Sequence, residues 1–249
     1  MKRVNKKWFS LCCVIVLTLL IIVSSVTAEE VEKLTGREFA QLVRGGVLYD
    51  NWIEELGVKI DKTHPSYPAG DKQKGADTWR CKECHGWDYK GKAGAYSTGS
   101  HYTGITGIRS YANQKPEQIM KVLKDNTHAF GNMIPDKELE ALAIFVAYGQ
   151  IDMDLYIDRT TKKSMGDPAS GGRTYLSTCM KCHNEDGKAI NFKDEKTPEY
   201  IGTVANKNPW ESLHKIRWGH PGAQMISLFF LTLKDQLDVL SFCQTLPEK

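Results

Sequence analysis

Cys81-Lys82-Glu83-Cys84-His85 is a C-x-x-C-H pentapeptide, and it recurs 98 positions later as Cys179-Met180-Lys181-Cys182-His183. This is the attachment pattern of a c-type haem, written twice. Two thiols three positions apart can add to the two vinyl groups of one porphyrin, and the adjacent imidazole then reaches the iron as proximal ligand. A zinc half-site, a redox dithiol and a local disulfide are the competing readings of any C-x-x-C. Two pairs sharing one zinc would lie about 15 to 20 residues apart, whereas most of a domain separates Cys84 from Cys179. A thioredoxin-like dithiol wants a preceding strand and a βαβ pattern around it, and neither is legible here.

Residues 1–28 carry the marks of a secretory signal. Lys2, Arg3, Lys6 and Lys7 open it, residues 11–23 are apolar, and Val26-Thr27-Ala28 before Glu29 is an A-x-A-like cleavage site. The apolar run is shorter than the about 20 residues a spanning helix needs, so cleavage after Ala28 and a periplasmic protein are expected over an uncleaved anchor. The chain has 33 Lys and Arg against 30 Asp and Glu. Four of the basic residues and none of the acids lie in the signal, which leaves 29 against 30. Without a basic excess to neutralise phosphates, no nucleic-acid partner is expected. The local group Lys72, Lys74, Lys90 and Lys92 reads as a solvated face, or as a ring that steers an acidic redox partner. Of seven cysteines, Cys12 and Cys13 leave with the signal and the haem motifs use four. Cys243, in helical register with Leu237, Leu240 and Phe242, is expected to be a buried thiol.

The repeat extends beyond the pentapeptides. His85 precedes Leu139 by 54 positions, and His183 precedes Leu237 by the same 54. These leucines belong to amphipathic stretches, 136–148 and 234–245, with apolar residues at helical spacing. Between motif and terminal helix, Pro116-Glu117 and Pro209-Trp210-Glu211 each open a helix. The first carries Ile119, Val122 and Leu123 on one side, the second Leu213 and Ile216. Both run into glycine-bearing loops, His128-Ala129-Phe130-Gly131-Asn132-Met133 and His220-Pro221-Gly222-Ala223-Gln224-Met225. The internal repeat predicts two domains, at 71–150 and 168–249, joined by a polar linker at 151–167.

With these residues in place the chain resembles the class I cytochromes c over nearly all of 71–249. The resemblance implies a mainly α fold of two tandem helical domains, each around one covalent haem c, two haems and two irons in all. It implies thioethers at Cys81, Cys84, Cys179 and Cys182, and proximal ligands at His85 and His183. Met133 and Met225, each in the loop between the two flanking helices, look like the family's distal ligands. His128 and His220, each five positions before those methionines, are the competing ligands; bis-histidine ligation would lower the potential relative to His/Met. His64, His101 and His214 have no ligand spacing. The family's proline that supports the proximal histidine has no counterpart between His85 and Pro116, so the partner of His85 is unassigned.

Residues 29–70 have no visible counterpart in the second half. They are expected to form an irregular arm along domain one, with a Thr35–Glu38 capping box and a short apolar face of Phe39, Leu42 and Val43. The segment 87–105 is expected to fold over the first haem, with Tyr96, Ser100, His101 or Tyr102 reaching a propionate. Residues 168–177 are expected to be the first helix of domain two, with Tyr175 and Leu176 inside. Arg109 and Arg217 are candidates to tune potential, Arg217 through a propionate.

The expected function is that of a periplasmic dihaem electron carrier acting between redox partner proteins, with no organic substrate evident. Two alternatives stand beside it. One is an enzyme resembling the thiosulfate dehydrogenases, whose cysteine-ligated haem would here need Cys243. The other is a relay subunit of a membrane redox complex.

Overall fold

Thr35 caps the first described helix as the sequence predicts. Its hydroxyl accepts the Glu38 N–H at 3.3 Å while the Glu38 carboxylate accepts the Thr35 N–H at 2.8 Å, which satisfies two helix-end donors reciprocally. The computed structural model describes residues 35–68 and 72–249; the expected signal at 1–28 lies outside them. The described residues are mainly helical, with two isolated bridges, Gly91–Thr106 and Ile157–Ser164, and no longer strand. No helix among them is long and apolar enough to cross a membrane.

The irregular arm is corrected. Gly36–Leu56 is a 21-residue helix, α1, kinked at Asn51 and closed by Gly57 in the left-handed conformation at φ 65°. It crosses α4 (Asp136–Tyr148) at Gly45, where a Cβ would stand 2.0 Å from the Ala141 carbonyl oxygen. In the second half α5 (Pro168–Thr174) crosses α9 (Leu233–Cys243) at Gly171, where a Cβ would stand 1.8 Å from the Asp238 carbonyl oxygen. Glycine at each crossing lets two backbones meet.

α1 and α5 are counterparts. Gly45-Gly46-Val47-Leu48-Tyr49 matches Gly171-Gly172-Arg173-Thr174-Tyr175. The Tyr49 ring lies 5.1 Å from Phe145, and the Tyr175 ring 5.0 Å from Phe242. Tyr49 Oη donates to the Gly86 carbonyl at 2.7 Å, and Tyr175 Oη to the Asn184 carbonyl at 2.9 Å. In both halves the acceptor directly follows the histidine of C-x-x-C-H. The arm therefore contains the first helix of the first repeat. The halves differ in the next step, since 32 positions separate Tyr49 from Cys81 and four separate Tyr175 from Cys179. Tyr49→Phe and Tyr175→Phe should each lower unfolding free energy by about 1 kcal/mol. Urea titration checks this, and no loss in either variant would mean that these hydroxyls do not hold the motif turn.

α5 runs through a π-helical turn, Tyr175–Cys179, into α6 (Met180–His183). Tyr175 is buried as expected, but Leu176 is 40% exposed; the widened turn carries it off the inner face. The helices opened by proline form as read, α3 over Pro116–Leu123 and α8 over Pro209–Trp218, with α7 (Ile201–Lys207) before the latter.

The described residues form one compact unit, and α1 is the element both halves share. Trp218 of α8 packs on Gly46, and His214 Nε2 donates to the Gly46 carbonyl at 2.9 Å while its Nδ1 accepts from Tyr89 Oη at 2.9 Å. Beneath them Asp50, with 1% of its side chain exposed, binds Arg80 at 2.7 Å and Lys215 at 2.5 Å. The linker is tied down as well. Arg159 reaches buried Asp88 at 2.7 Å, and Lys90 binds Asp152 at 2.7 Å and Asp154 at 2.5 Å. Lys90 is therefore an ion-paired residue rather than part of an open basic face.

Candidate haem-binding sites

α2 is a single turn, Cys81–His85, ended by Gly86 at φ 77°. It follows the 3₁₀ turn Gly75–Trp79, which Trp52 Nε1 anchors by donating to the Trp79 carbonyl at 2.9 Å. Cys81, Cys84 and His85 line a cavity of about 310 Å³. Ile119, Val122 and Leu123 of α3, and Leu142 and Val146 of α4, give it apolar walls. Ile119, Val122 and Leu123 are the residues that helical periodicity placed on one side of α3. The remaining lining includes Arg80, Ile105, Thr106, Ile108, His128 and Phe130.

The partner of His85 is the Thr106 carbonyl, which accepts from Nδ1 at 2.7 Å. That bond fixes the ring and leaves Nε2 for a metal. Burial pushes the His85 pKa down to about 4, against the Thr106 bond and with help from His128, so the imidazole is neutral at neutral pH. Burial pushes the Cys81 thiol up to about 12, with neighbouring Cys84 adding to the effect. A redox dithiol needs a lowered thiol pKa, so this environment argues against one.

The two distal candidates of the first half are placed differently. Met133 is half-buried against the core and is not among the residues lining the cavity. His128 lines it, and its ring centre stands 6.2 Å from that of His85 with the ring planes 25° apart. His128 Nδ1 faces Asp125 Oδ1 at 3.2 Å. The His128 carbonyl accepts from His64 Nε2 at 3.1 Å, and the Thr127 carbonyl from Ser66 Oγ at 2.8 Å. His64 has no ligand spacing in the sequence. Its role is to hold a backbone, which leaves no spacing signal.

Segment 87–105 packs on the motif turn rather than presenting the residues expected to reach a propionate. His101 Nδ1 binds the buried Glu83 carboxylate at 2.6 Å and stacks on Tyr96 at 4.8 Å, while Tyr102 is exposed. Neither Tyr96, Ser100, His101 nor Tyr102 is among the residues lining the cavity. The segment's contribution is its last residue, Ile105, which forms wall together with the following Thr106.

The second motif is more open. Cys182 is exposed, and Cys179 is half-buried with its thiol pushed up to about 11 by burial and by Cys182. Burial and nearby His220 both lower the His183 pKa. His183 Nδ1 is buried with no hydrogen-bond partner, so this half lacks the equivalent of the Thr106 bond. Phe192 lies 6.4 Å from the His183 ring and is exposed, as are Ile190, Ile226 and Phe230 on the flanking loops. Met225 is half-buried in the loop after α8, which is tied to α1 where the Gly222 N–H donates to Glu55 at 2.8 Å.

Arg217 is no exposed helix charge. It is 4% exposed, lies over the Trp218 and Phe229 rings, and donates from Nη1 to the Gln236 amide oxygen at 2.8 Å, leaving Nε buried without a partner. Burial brings its pKa down to about 10. Cys243 is buried as expected, and burial together with nearby Cys179 pushes its thiol well above the ordinary value.

Among the described residues no group of three or more His, Cys, Asp and Glu side chains converges to hold a metal ion. A zinc site built from side chains alone would need such a group. No family model, curated protein or solved structure matches the chain.

Proposed function

We propose that the chain is a dihaem c-type cytochrome of the class I kind, exported to the periplasm, which carries single electrons between redox partner proteins. The observation that carries this reading is the cavity where Cys81, Cys84 and His85 open together onto the apolar faces of α3 and α4. A porphyrin fits that donor set. It needs two thiols for its vinyl groups and only one or two protein ligands for an iron whose equatorial positions it fills itself. Bound haem would supply a one-electron iron couple. Cys81, Cys84, Cys179 and Cys182 would hold the two groups, and His85 and His183 would ligate them. The apolar walls exclude water from the first site, and the Thr106 bond keeps His85 in one tautomer and orientation.

The packing of both halves on α1 favours electron exchange within one compact unit, since Asp50 joins Arg80, next to Cys81, to Lys215 on α8. The thiosulfate dehydrogenase-like alternative finds no support in Cys243, whose thiol is buried at the end of α9.

The test is to express the full chain with a haem-ligation system and quantify haem as the pyridine complex after denaturing extraction. Two covalent haems per chain are expected, falling to one in Cys84→Ser or Cys182→Ser. No covalent haem would overturn the reading. A ferrous protein that binds carbon monoxide at one haem before any mutation would point instead to a site that takes a substrate.

A further inference from the structure

We propose that His128, rather than Met133, is the distal ligand of the first haem, so that this iron is held between two histidines. The inference rests on the haem reading above and concerns how this chain completes that site. Its first support is a distance. Two imidazoles on opposite sides of one metal, bound through nitrogens at about 2.0–2.1 Å, have ring centres about 6.3 Å apart. The His85 and His128 centres are 6.2 Å apart. Separation alone leaves the coordinating atoms open, but hydrogen bonding selects them. His85 Nδ1 is engaged by the Thr106 carbonyl and His128 Nδ1 faces Asp125, which leaves Nε2 as the available nitrogen on each ring. An occupied Nδ1 that fixes ring orientation is the usual arrangement around a ligating histidine.

The second support is that the loop is built to hold this residue. The His128 N–H donates to Asp125 Oδ1 at 2.9 Å, and its carbonyl accepts from buried His64. Ser66 holds the neighbouring Thr127 carbonyl. Ala129 follows in the left-handed conformation at φ 57°, which is unfavourable for a residue with a Cβ. Strain kept beside a ligand position, with three hydrogen bonds maintaining it, fits a loop selected for where it puts a side chain.

The clamp comes from the residues that distinguish the halves. His64 and Ser66 lie between Tyr49 and Cys81, a stretch of 32 positions where the second half has four. The extra segment thus reaches the distal loop of the first site, and the second half has no counterpart to it. His220 stands five positions before Met225 as His128 does before Met133, but its Nδ1 turns to the Pro221 carbonyl at 2.8 Å without such a clamp. The assignment is therefore made for the first site. With two histidines the first haem has both axial positions filled and a lower potential than a His/Met haem.

The experiment uses the haem-loaded full chain and reads spin state, ligand class and potential rather than activity. The near-parallel rings predict a rhombic low-spin ferric electron paramagnetic resonance signal from the first haem, not the single large-g feature of perpendicular imidazoles. Met133→Leu should leave the spectra and both potentials unchanged. His128→Ala should turn one of the two haems high-spin and open to carbon monoxide, with added imidazole restoring the low-spin state. His128→Met should raise one potential. If His128→Ala fails to load haem, Met133→Leu and the wild-type resonance signal still decide. The proposal is overturned if Met133→Leu abolishes a methionine-to-iron charge-transfer band or makes a haem high-spin while His128→Ala leaves both low-spin. Failure of the haem reading would appear separately, as absence of covalent haem in the wild-type chain.

Discussion

Asp50→Asn should lower the unfolding free energy by about 3 kcal/mol, in a domain whose total is of the order of 5–15 kcal/mol. The carboxylate is almost completely buried and binds both Arg80 and Lys215. An amide keeps the shape but leaves two cations facing each other across a buried neutral group. Removing one partner of a buried pair is destabilising by about 3–5 kcal/mol. The lower end applies here because Arg80 and Lys215 keep 20% and 17% of their side-chain surface and regain some water.

The pH dependence gives an independent check. Burial by itself would raise the Asp50 pKa, but the Lys215 ammonium and the Arg80 guanidinium outweigh it and hold the group well below the usual carboxylate range. A folded pKa below the unfolded value of about 3.9 contributes stability that is complete above that value and lost as pH falls toward the folded one. The difference between wild type and Asp50→Asn should thus be flat from neutral pH to about pH 5 and shrink below about pH 4. Urea titrations across that range measure it, and a difference under about 1 kcal/mol at pH 7 would sink the argument. Because Arg80 borders the first cavity and Lys215 belongs to α8, the variant should also loosen the join between the halves.

The parts of this molecule that declare themselves in sequence are those with a local period or motif. The capping box at Thr35, the proline-opened helices and the inward residues Ile119, Val122, Leu123, Leu139 and Leu237 all lie where periodicity puts them. The length of α1 was concealed because Gly45-Gly46 looks like a helix breaker. Propensity disfavours glycine there by about 1 kcal/mol each, and the crossing with α4 and α8 overrides it. The match between Gly45-Gly46-x-x-Tyr49 and Gly171-Gly172-x-x-Tyr175 was hidden for another reason. The segment holding His64 interrupts the register, so comparing the halves outward from the cysteines loses the alignment.

The candidate site follows the same division. The cysteines and histidines proposed to hold haem are written as a contiguous motif. The proposed distal ligand is not, because His128 and Met133 share one loop and only the fold of Phe130–Asn132 between them decides which faces the cavity. Thr106 was out of reach in the same way, since it supplies a backbone carbonyl, and any residue has one.

Gly45→Ala should also lower the unfolding free energy by about 3 kcal/mol, although alanine is the better helix former. The added methyl would lie 2.0 Å from the Ala141 carbonyl oxygen and 2.6 Å from Phe145 Cβ. Both obstacles belong to the spine of α4, so no side-chain rotation relieves the clash and the helices must separate. Separation thins the contacts of a close-packed core along the whole crossing. It also draws Tyr49 away from Phe145 and from the Gly86 carbonyl, which is the link between this crossing and the C-x-x-C-H turn. Gly36→Ala is the matched control in the same helix, with nothing within 4 Å of the new methyl; it should be neutral or stabilising by a few tenths of a kcal/mol. For a folded unit of this size a loss of about 3 kcal/mol corresponds to a Tm lower by roughly 6–12 °C. If Gly45→Ala melts with Gly36→Ala, the crossing has slack and α1 does not hold the first site in place. If Gly45→Ala melts early while Gly171→Ala does not, the close approach matters in the first half alone, and the two halves are not built on one plan.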